Sequence, residues 1–285
     1  MTSNLTVRRS PRGMTPGRLL PNIIMLLFTF TCIFPLIWIL YSSLKTKAEF
    51  AQNIIFLPST PQFGNYINAI ETSNMPLFML NSLRNTALSL ILIVFISFIA
   101  GYFIARFKFV GNRALYAYYL FGMLVPIHAL LVPIYLLFQR AGLTDKWYTL
   151  VITNLGFGIP FALFLIESYI HSIPREMEEA AAIEGSSFTR TLFTIILPMA
   201  SPVISTVAIM QFFSCWNEFP FALILISTEK LRTVPLGLTY FRSQRETNYP
   251  LLMAAMVISL APVAAVYFSF SDRIIKGVAA GAVKG

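Results

Sequence analysis

Few residues in this sequence could carry catalytic chemistry, and their spacing matches no catalytic or metal-binding pattern. The only two histidines, His128 and His171, lie in different segments, and no HExxH motif occurs. Cys32 and Cys215 both lie inside apolar runs, without the CxxC spacing of a metal site. The sequence contains neither a GxxxxGK(S/T) loop nor any Gly-Lys dipeptide, so it lacks a phosphate-binding loop of its own. We therefore expect no catalytic residue, no metal site and no cofactor bound by this chain.

Charged residues are also nearly absent from the interiors of the apolar runs. Arg84, Glu167 and Glu218 all fall at the boundaries of runs. Ion-coupled transporters usually carry ionisable groups at mid-depth in the membrane, so that class is disfavoured. His128 lies inside a run, between two prolines. A proton relay is one interpretation of it, and a hydrogen-bonded structural histidine is the one we favour.

The composition indicates a membrane protein. Of the 285 residues, 56% are hydrophobic and only 12% are charged, and the mean hydropathy is +0.71. A soluble domain carries about 25% charged residues. The net charge of +9 comes from basic residues that lie between apolar runs, so we interpret it as setting orientation in a bilayer rather than as binding nucleic acid.

Six uncharged runs are long enough to cross a bilayer, which takes about 20 apolar residues. They are Leu19–Tyr41, Asn85–Ala105, Ala114–Gln139, Trp147–Ile166, Thr191–Asn217 and Thr247–Ser271. The last two exceed the length of a span, so we expect their true ends to lie inside the run. Phe219–Thr228 is apolar but too short to cross, and we expect a re-entrant or outer-surface segment there.

Basic residues near the ends of the runs predict the orientation. Four arginines precede the first run, and Arg106, Lys108 and Arg113 occupy the short loop between the second and third runs. Because short basic loops face the cytoplasm, we expect both termini to be cytoplasmic. The polar segment Ser42–Leu80 is then expected to form an ordered outer loop.

One cytoplasmic stretch is charged, small and helix-forming between two apolar runs: EEAAAIEGSSFTR, residues 178–190. Glutamates early in a helix complement its dipole, and the three alanines after them are strong helix formers. Gly185 permits a sharp bend, and Ser186 or Ser187 can cap a second helix. The apolar face of that second helix is predicted to contain Phe188, Leu192 and Ile195.

Two interpretations of this stretch stay open from its physical chemistry alone. It could be a solvated amphipathic loop that lies against the membrane. It could instead project into a groove on another protein, with alanines thin enough to enter and Glu179 available to a basic partner.

The spacing of particular residues resembles a known family signature. Glu179-Ala180-Ala181, three residues, Gly185, nine residues and then Ile195-x-Leu197-Pro198 resembles the EAA signature of permease subunits in binding-protein-dependent ABC importers. Further stretches resemble the carbohydrate branch of that family, in particular its second, maltose-G-type permease. These are residues 172–176, 216–219, 232–238 and 281–285, and the resemblance extends from Leu20 onward.

The resemblance implies an all-α membrane protein with six transmembrane helices and the type I ABC importer (MetI-like) permease fold. Its implied organisation is a cytoplasmic tail, a first transmembrane helix, an extracytoplasmic loop, a permease domain and a second cytoplasmic tail. The corresponding ranges are 1–18, 19–41, 42–79, 80–272 with the EAA loop at 172–198, and 273–285.

The resemblance also implies partners in the cell (inner) membrane of a prokaryote. A second homologous permease, two ATPase subunits that bind the ATP, and an extracytoplasmic solute-binding protein that delivers a sugar would assemble with this chain. Glu179 would pair with a basic ATPase residue, Ala180 and Ala181 would allow close approach, and Gly185 would make the bend. The signature is completed by Ile195, Leu197 and Pro198, and the tail that would reach between the ATPase subunits contains Gly281, Val283, Lys284 and Gly285.

Candidate sugar contacts cluster at the outer end of the fifth run. Trp216, Asn217, Glu218 and Phe221 combine amide and carboxylate groups with aromatic faces, which suits a sugar. The alternative is that Trp216 is an interfacial anchor and Phe221 a packing residue. Two alternatives to a sugar importer are the same architecture with a cargo such as a glycerol phosphate, and a stand-alone secondary transporter.

Overall fold

In the computed structural model, the backbone is described for residues 16–241 and 247–282, and side chains for 19–241 and 247–270. The described chain is helical almost throughout. Its helices are α1 (Pro16–Ser42), α2 (Lys47–Gln52), α3 (Gly64–Thr72), α4 (Met75–Arg106), α5 (Asn112–Leu124), α6 (Leu131–Arg140), α7 (Thr149–Ser172), α8 (Glu176–Ile183), α9 (Phe188–Thr191), α10 (Leu197–Met199), α11 (Ser201–Trp216), α12 (Pro220–Leu225), α13 (Val234–Gly237) and α14 (Tyr249–Ala282). The expected N-terminal tail, 1–18, lies largely outside the described residues, as does the end of the C-terminal tail.

The all-α membrane fold predicted from the sequence is confirmed. Within the described residues, four helices are long and apolar enough to cross a membrane, namely α1, α4, α7 and α14, and there are six spans if two bent helix pairs each count as one. α4 begins at Met75, ten residues before the predicted run and inside the segment expected to be loop. The rest of that outer segment is ordered and includes α2 and α3.

The third predicted run is not one straight helix but two helices joined at a sharp bend. α5 ends at Leu124, and a short turn followed by α6 continues at 93° to it. The cause is Pro126, because a residue before proline is pushed out of the helical region, and Val125 is extended, with a φ of −80° and a ψ of 121°.

The fifth run is likewise bent. The segment 188–199 meets α11 at 72°, with the break at Ala200 between Pro198 and Pro202. Each proline removes one backbone donor from the helical ladder, which favours a break between the two. The helix after the break, α11, therefore begins at Ser201, inside the predicted run. The short apolar segment after it folds as α12, whose Phe221, Ala222 and Leu225 are buried.

Among the described residues, the most extensive helix–helix contact joins α4 to α7. Gly101 permits this approach, because a Cβ atom there would lie 3.3 Å from the backbone nitrogen of Glu167. Ala105, one turn later on α4, is also buried. Small residues let helices in a membrane approach closely, so the Gly101-xxx-Ala105 spacing reports a real contact surface. Around it lies the main apolar core, which contains Ile93, Phe98, Tyr102, Ile166, Ile170, Ile196 and Val207.

Candidate functional site

The stretch 178–190 folds as two short helices joined by a sharp bend, as predicted. α8 carries three glutamates in its first turn and ends in a hydrogen-bonded cap, in which Ser186 N donates to Ala181 O at 2.9 Å and Gly185 N to Ala182 O at 3.0 Å. This cap places Gly185 in the left-handed region, with a φ of 78°. Side chains with a Cβ are strained there, which explains a glycine at this position.

Of the two candidate caps for the second helix, Ser187 is the one used, since its Oγ accepts from Arg190 N at 3.4 Å. The predicted apolar face was partly wrong. A wide turn over Leu192–Ile196 shifts the register, so Leu192 and Ile196 are buried while Ile195 is half-buried and Phe188 exposed. The same shift leaves Leu197 half-buried and Pro198 exposed.

The signature residues of α8 lie on two different faces. Glu179 and Ala180 are exposed, and Ile183 beside them is 88% exposed. Ala181 is buried against the chain's own helices. Of the alanine pair, only Ala180 is therefore available to a partner, whereas Ala181 allows α8 to lie close to its own chain.

Glu178 fastens α8 to the end of α4. Its Oε2 accepts a hydrogen bond from the Tyr102 hydroxyl at 2.7 Å. Its Oε1 lies 2.6 Å from Arg106 Nε, an ion pair by distance, although the two atoms are not aligned as a hydrogen bond. We call Tyr102, Arg106 and Glu178 the clamp. From the sequence, Glu178 was expected only to complement the helix dipole. The one sequence signal for the clamp is the i, i+4 spacing of Tyr102 and Arg106, which puts both side chains on one face of α4.

Arg106 makes a further contact that reinforces the clamp. Its guanidinium donates to Ile173 O at 2.8 Å, and Arg175 in turn donates to Arg106 O at 3.3 Å. The Arg106 side chain is buried. Removing one partner of a buried ion pair leaves an uncompensated charge. The Arg106–Glu178 ion pair therefore strongly constrains the position of α8 relative to α4.

An aromatic cluster makes a second tie between the same elements. Phe188 of α9 lies with its ring centroid 5.9 Å from Tyr102, 5.9 Å from Phe103 and 6.1 Å from Phe107. Aromatic pairs at such distances add attraction beyond the burial of their area. Both helices of the 178–190 stretch are thus attached to the last turn of α4.

A cavity of about 420 Å³ lies among α7, α11 and α12. Its walls combine aromatic rings, such as Phe157, Phe161 and Phe221, with polar groups. The polar residues are His128, Thr153, Asn154, Gln211, Ser214, Asn217 and Glu218. No lysine or arginine lines it among the residues that the structure describes.

Glu218 is the one carboxylate among the cavity-lining residues, and both of its oxygens accept hydrogen bonds from the backbone. Its two oxygens accept from Phe221 N at 2.6 Å and Ala222 N at 3.0 Å, at the N-terminus of α12. Unpaired N–H groups at a helix start favour a negative charge. Two amides are also oriented, because Asn154 donates to Ser89 Oγ at 3.1 Å and Gln211 to Gly158 O at 3.1 Å.

The predicted sugar cluster is divided by the fold. Asn217, Glu218 and Phe221 line the cavity. Trp216 is 3% exposed, stacks on Phe212 at 5.8 Å and is not among the lining residues. A Trp216 side chain packed in this way has a structural role in the described chain.

Asp145, in the loop before α7, holds the end of α12, which contributes Phe221 to the cavity lining. Its Oδ1 accepts from Ser227 N at 3.0 Å and Thr228 N at 2.8 Å, and its own N–H donates to Leu225 O at 2.9 Å. Burial acts to raise the pKa of Asp145, but hydrogen bonds from Thr228 and Ser227 outweigh it, so this pKa lies below its usual value. Asp145 therefore stays ionised near neutral pH and keeps α12 in place.

Two other predicted features are limited by the described range. Gly281 lies in α14, whereas Val283, Lys284 and Gly285 are outside the described residues. Within residues 19–241 and 247–270, no three His, Cys, Asp or Glu side chains come together as a metal site.

Comparison with known proteins adds three findings. The profile of the family described as "Binding-protein-dependent transport system inner membrane component" matches residues 94–280. A putative ABC transporter permease, ORF2 of Caldicellulosiruptor sp., is 36% identical over 92% of this chain and 96% of its own length, and the trehalose/maltose transport permease MalG of Thermococcus litoralis is 31% identical over 91% and 94%. A crystal structure of a bacterial ABC transporter involved in the import of the acidic polysaccharide alginate superposes with a TM-score of 0.81 at 20% identity, over 91% of this chain and 98% of the other.

The clamp predicts a specific change on Glu178→Ala. Arg106 then loses its counter-charge, and a lone buried charge costs about 3–5 kcal/mol. Because 19% of the Glu178 side chain is exposed, we expect a loss near the lower end of that range, confined to the attachment of α8. Hydrogen exchange of peptides covering 176–183 should accelerate. The matched control is Glu179→Ala, whose side chain is exposed, and equal exchange in both variants would contradict the clamp.

Proposed function

The chain belongs to the family of inner membrane components of binding-protein-dependent transport systems, and we propose that it is the permease subunit of an ATP-driven carbohydrate importer. In this proposal it forms half of the translocation pathway, and a second homologous permease forms the other half. An extracytoplasmic solute-binding protein delivers the sugar. Two ATPase subunits bind the ATP, since this chain has no phosphate-binding loop.

One observation carries the proposal: α8 presents an exposed face while it is fastened to α4 from its other face. The exposed face contains Glu179, Ala180 and Ile183. It offers one carboxylate for a basic partner, one small side chain for close approach and one apolar side chain for burial. This is the composition of a docking surface for the ATPase.

The mechanism follows from the two ties to α4. When ATP closes the ATPase dimer, α8 is displaced with the subunit on which it is seated. The displacement reaches α4 through Glu178 and Arg106, and through the contact of Phe188 with Tyr102. Because α4 and α7 pack closely at Gly101, the spans rock as rigid bodies and exchange outward for inward access.

The orientation is part of the proposal. α8 and the end of α4 face the cytoplasm, where the basic loop Arg106–Arg113 also lies. The N- and C-termini are placed on the same side, and the protein in the cell (inner) membrane of a prokaryote. The 42–79 loop and the 226–237 segment face outward, toward the solute-binding protein.

The cavity supports a neutral sugar as the cargo. Amides and a carboxylate can accept and donate hydrogen bonds to hydroxyl groups, and Phe157 and Phe161 can cover apolar sugar faces. Among the described residues no basic side chain lines the cavity, so the charge of a phosphate or uronate would have no counter-charge there. The glycerol phosphate alternative therefore lacks a binding group here. Membership of the family also argues against a stand-alone secondary transporter.

The docking surface predicts loss of the ATPase from a Glu179→Ala, Ala180→Trp variant. The change removes one charge and places bulk where the partner must approach closely, without touching the clamp. Affinity purification of the tagged chain from mild detergent should recover the second permease with little ATPase. Glu71→Ala, an exposed glutamate on the other side of the membrane, should recover both. Full ATPase recovery with the double variant would contradict the docking role.

The cavity predicts selective uptake of neutral sugars. In vesicles that contain the complete importer, maltose or trehalose should be taken up in preference to an alginate disaccharide.

Asn217→Ala should weaken the apparent affinity for the sugar about fivefold, as expected for one hydrogen bond of about 1 kcal/mol. Ser205→Ala, on α11 but not among the cavity-lining residues, should leave it unchanged. Preferred uptake of the acidic disaccharide would contradict the neutral-sugar assignment.

A further inference from the structure

A loop between α2 and α3 exposes four consecutive large apolar side chains. Ile54, Ile55, Phe56 and Leu57 are each between 53% and 73% exposed. The surrounding sequence contains no Asp, Glu, Lys or Arg from Phe50 to Ile70. Isolated apolar side chains on a surface need no explanation, but a contiguous uncharged patch indicates a binding surface.

The backbone of this loop is paired from within the chain. Asn53 Oδ1 accepts from Ile55 N at 3.1 Å and from Phe56 N at 3.0 Å. The Lys45 ammonium donates to Asn53 O at 2.8 Å and to Ile54 O at 3.1 Å, and the Lys45 side chain is fully buried in doing so. A buried lysine is thus used to satisfy two carbonyl groups of the loop.

Two aromatic residues from the last turns of α1 complete the pairing. Trp38 Nε1 donates to Ile54 O at 2.9 Å, and the Tyr41 hydroxyl donates to Ile55 O. Trp and Tyr side chains concentrate at the boundary between hydrocarbon and water, where one end is apolar and the other polar. Their bonds to the loop place it at the depth of that boundary.

The loop at residues 54–57 lies on the side of the membrane opposite α8. α1 is the candidate span with the highest exposure, since none of its most apolar window is buried inside the chain. It ends at Ser42, immediately before this loop, whereas α4 runs from the same side and ends at the clamp. In the proposed orientation the adjacent leaflet is therefore the outer one.

We propose that Ile54–Leu57 is a membrane anchor that inserts its four side chains into the outer leaflet. Insertion of a loop is normally opposed by its unpaired backbone polar groups, each of which is costly to remove from water. Here Asn53, Lys45, Trp38 and Tyr41 pair four of the eight backbone groups of these residues, namely the N–H groups of Ile55 and Phe56 and the carbonyls of Ile54 and Ile55. The four side chains carry no charge that could steer a protein partner, and the nearby Glu49 carboxylate is already bound to Ser59 N and Oγ of the same loop. This favours lipid over the solute-binding protein as the occupant.

The anchor fixes the outer end of α1 at a constant depth. α1 otherwise packs mainly on α14, so the loop supplies a second attachment, to the bilayer itself. This inference goes beyond the proposed function and does not depend on which solute is carried.

The test is a spin label at Phe56→Cys, in the complete importer reconstituted in phosphatidylcholine–phosphatidylglycerol vesicles, with Cys32→Ser and Cys215→Ser as background. Molecular oxygen concentrates in lipid and a nickel chelate stays in water, so their relative collision rates report depth. Phe28→Cys, an exposed position in the middle of α1, gives the lipid reference. Lys230→Cys, exposed on the outer surface, gives the water reference.

We expect the oxygen-to-nickel ratio at position 56 to be several-fold above that at position 230 and to approach that at position 28. In an added Asn53→Ala background, which unpairs Ile55 N and Phe56 N, the ratio should fall toward the water reference. A water-like ratio at position 56 would overturn the proposal. So would an immobile label protected from both reagents, or a label whose mobility changes when the solute-binding protein is added, because either would indicate a protein occupant.

Discussion

The ion pair between Arg106 and Glu178 is the contact on which the rest of this structure depends. It joins the last turn of α4 to α8, a helix that otherwise has little apolar area to hold it in place. α8 buries Ala181 and little else, so its position cannot come from hydrophobic packing alone. An ion pair with a hydrogen bond from Tyr102 holds it there while its outer face stays free. A helix that binds another protein and also transmits motion to its own chain needs one free face and one attached face.

The bends in two spans serve the same arrangement. The 72° bend at Ala200 turns the segment 188–199 away from α11, so that Phe188 reaches α4 instead of continuing through the bilayer. The 93° bend after Leu124 brings His128 to the cavity mouth beside α7 and α11. Both breaks occur next to proline residues. In a membrane such breaks are tolerated where the backbone groups that lose their helical partners face protein or a cavity. The cavity and the exposed face of α8 thus lie toward opposite ends of the same α4–α7–α11 packing.

Hydropathy and local chemistry were sufficient to predict much of this. Uncharged runs identified the spans, and Gly185 predicted the bend because few residues adopt its backbone conformation. Three features of the site escaped prediction. The wide turn at Leu192–Ile196 moved the buried position from Ile195 to Ile196, and no residue type marks such a turn. The role of Glu178 depends on a contact with residues more than 70 positions away, which no local pattern contains. Trp216 was a candidate for the sugar site by its type, and only the rotation of α11 directs it into the packing.

If α8 and α4 move as one body, the distance between them does not depend on nucleotide. Double electron–electron resonance measures this distance in the assembled importer, with spin labels at Ile183→Cys on α8 and Phe95→Cys on α4, which are both exposed. Cys32→Ser and Cys215→Ser remove the native thiols of this chain. The distance distribution should be the same with and without a non-hydrolysable ATP analogue, and should become nucleotide-dependent once Glu178→Ala breaks the clamp. A nucleotide-dependent distance in the intact clamp would contradict rigid transmission from α8 to α4.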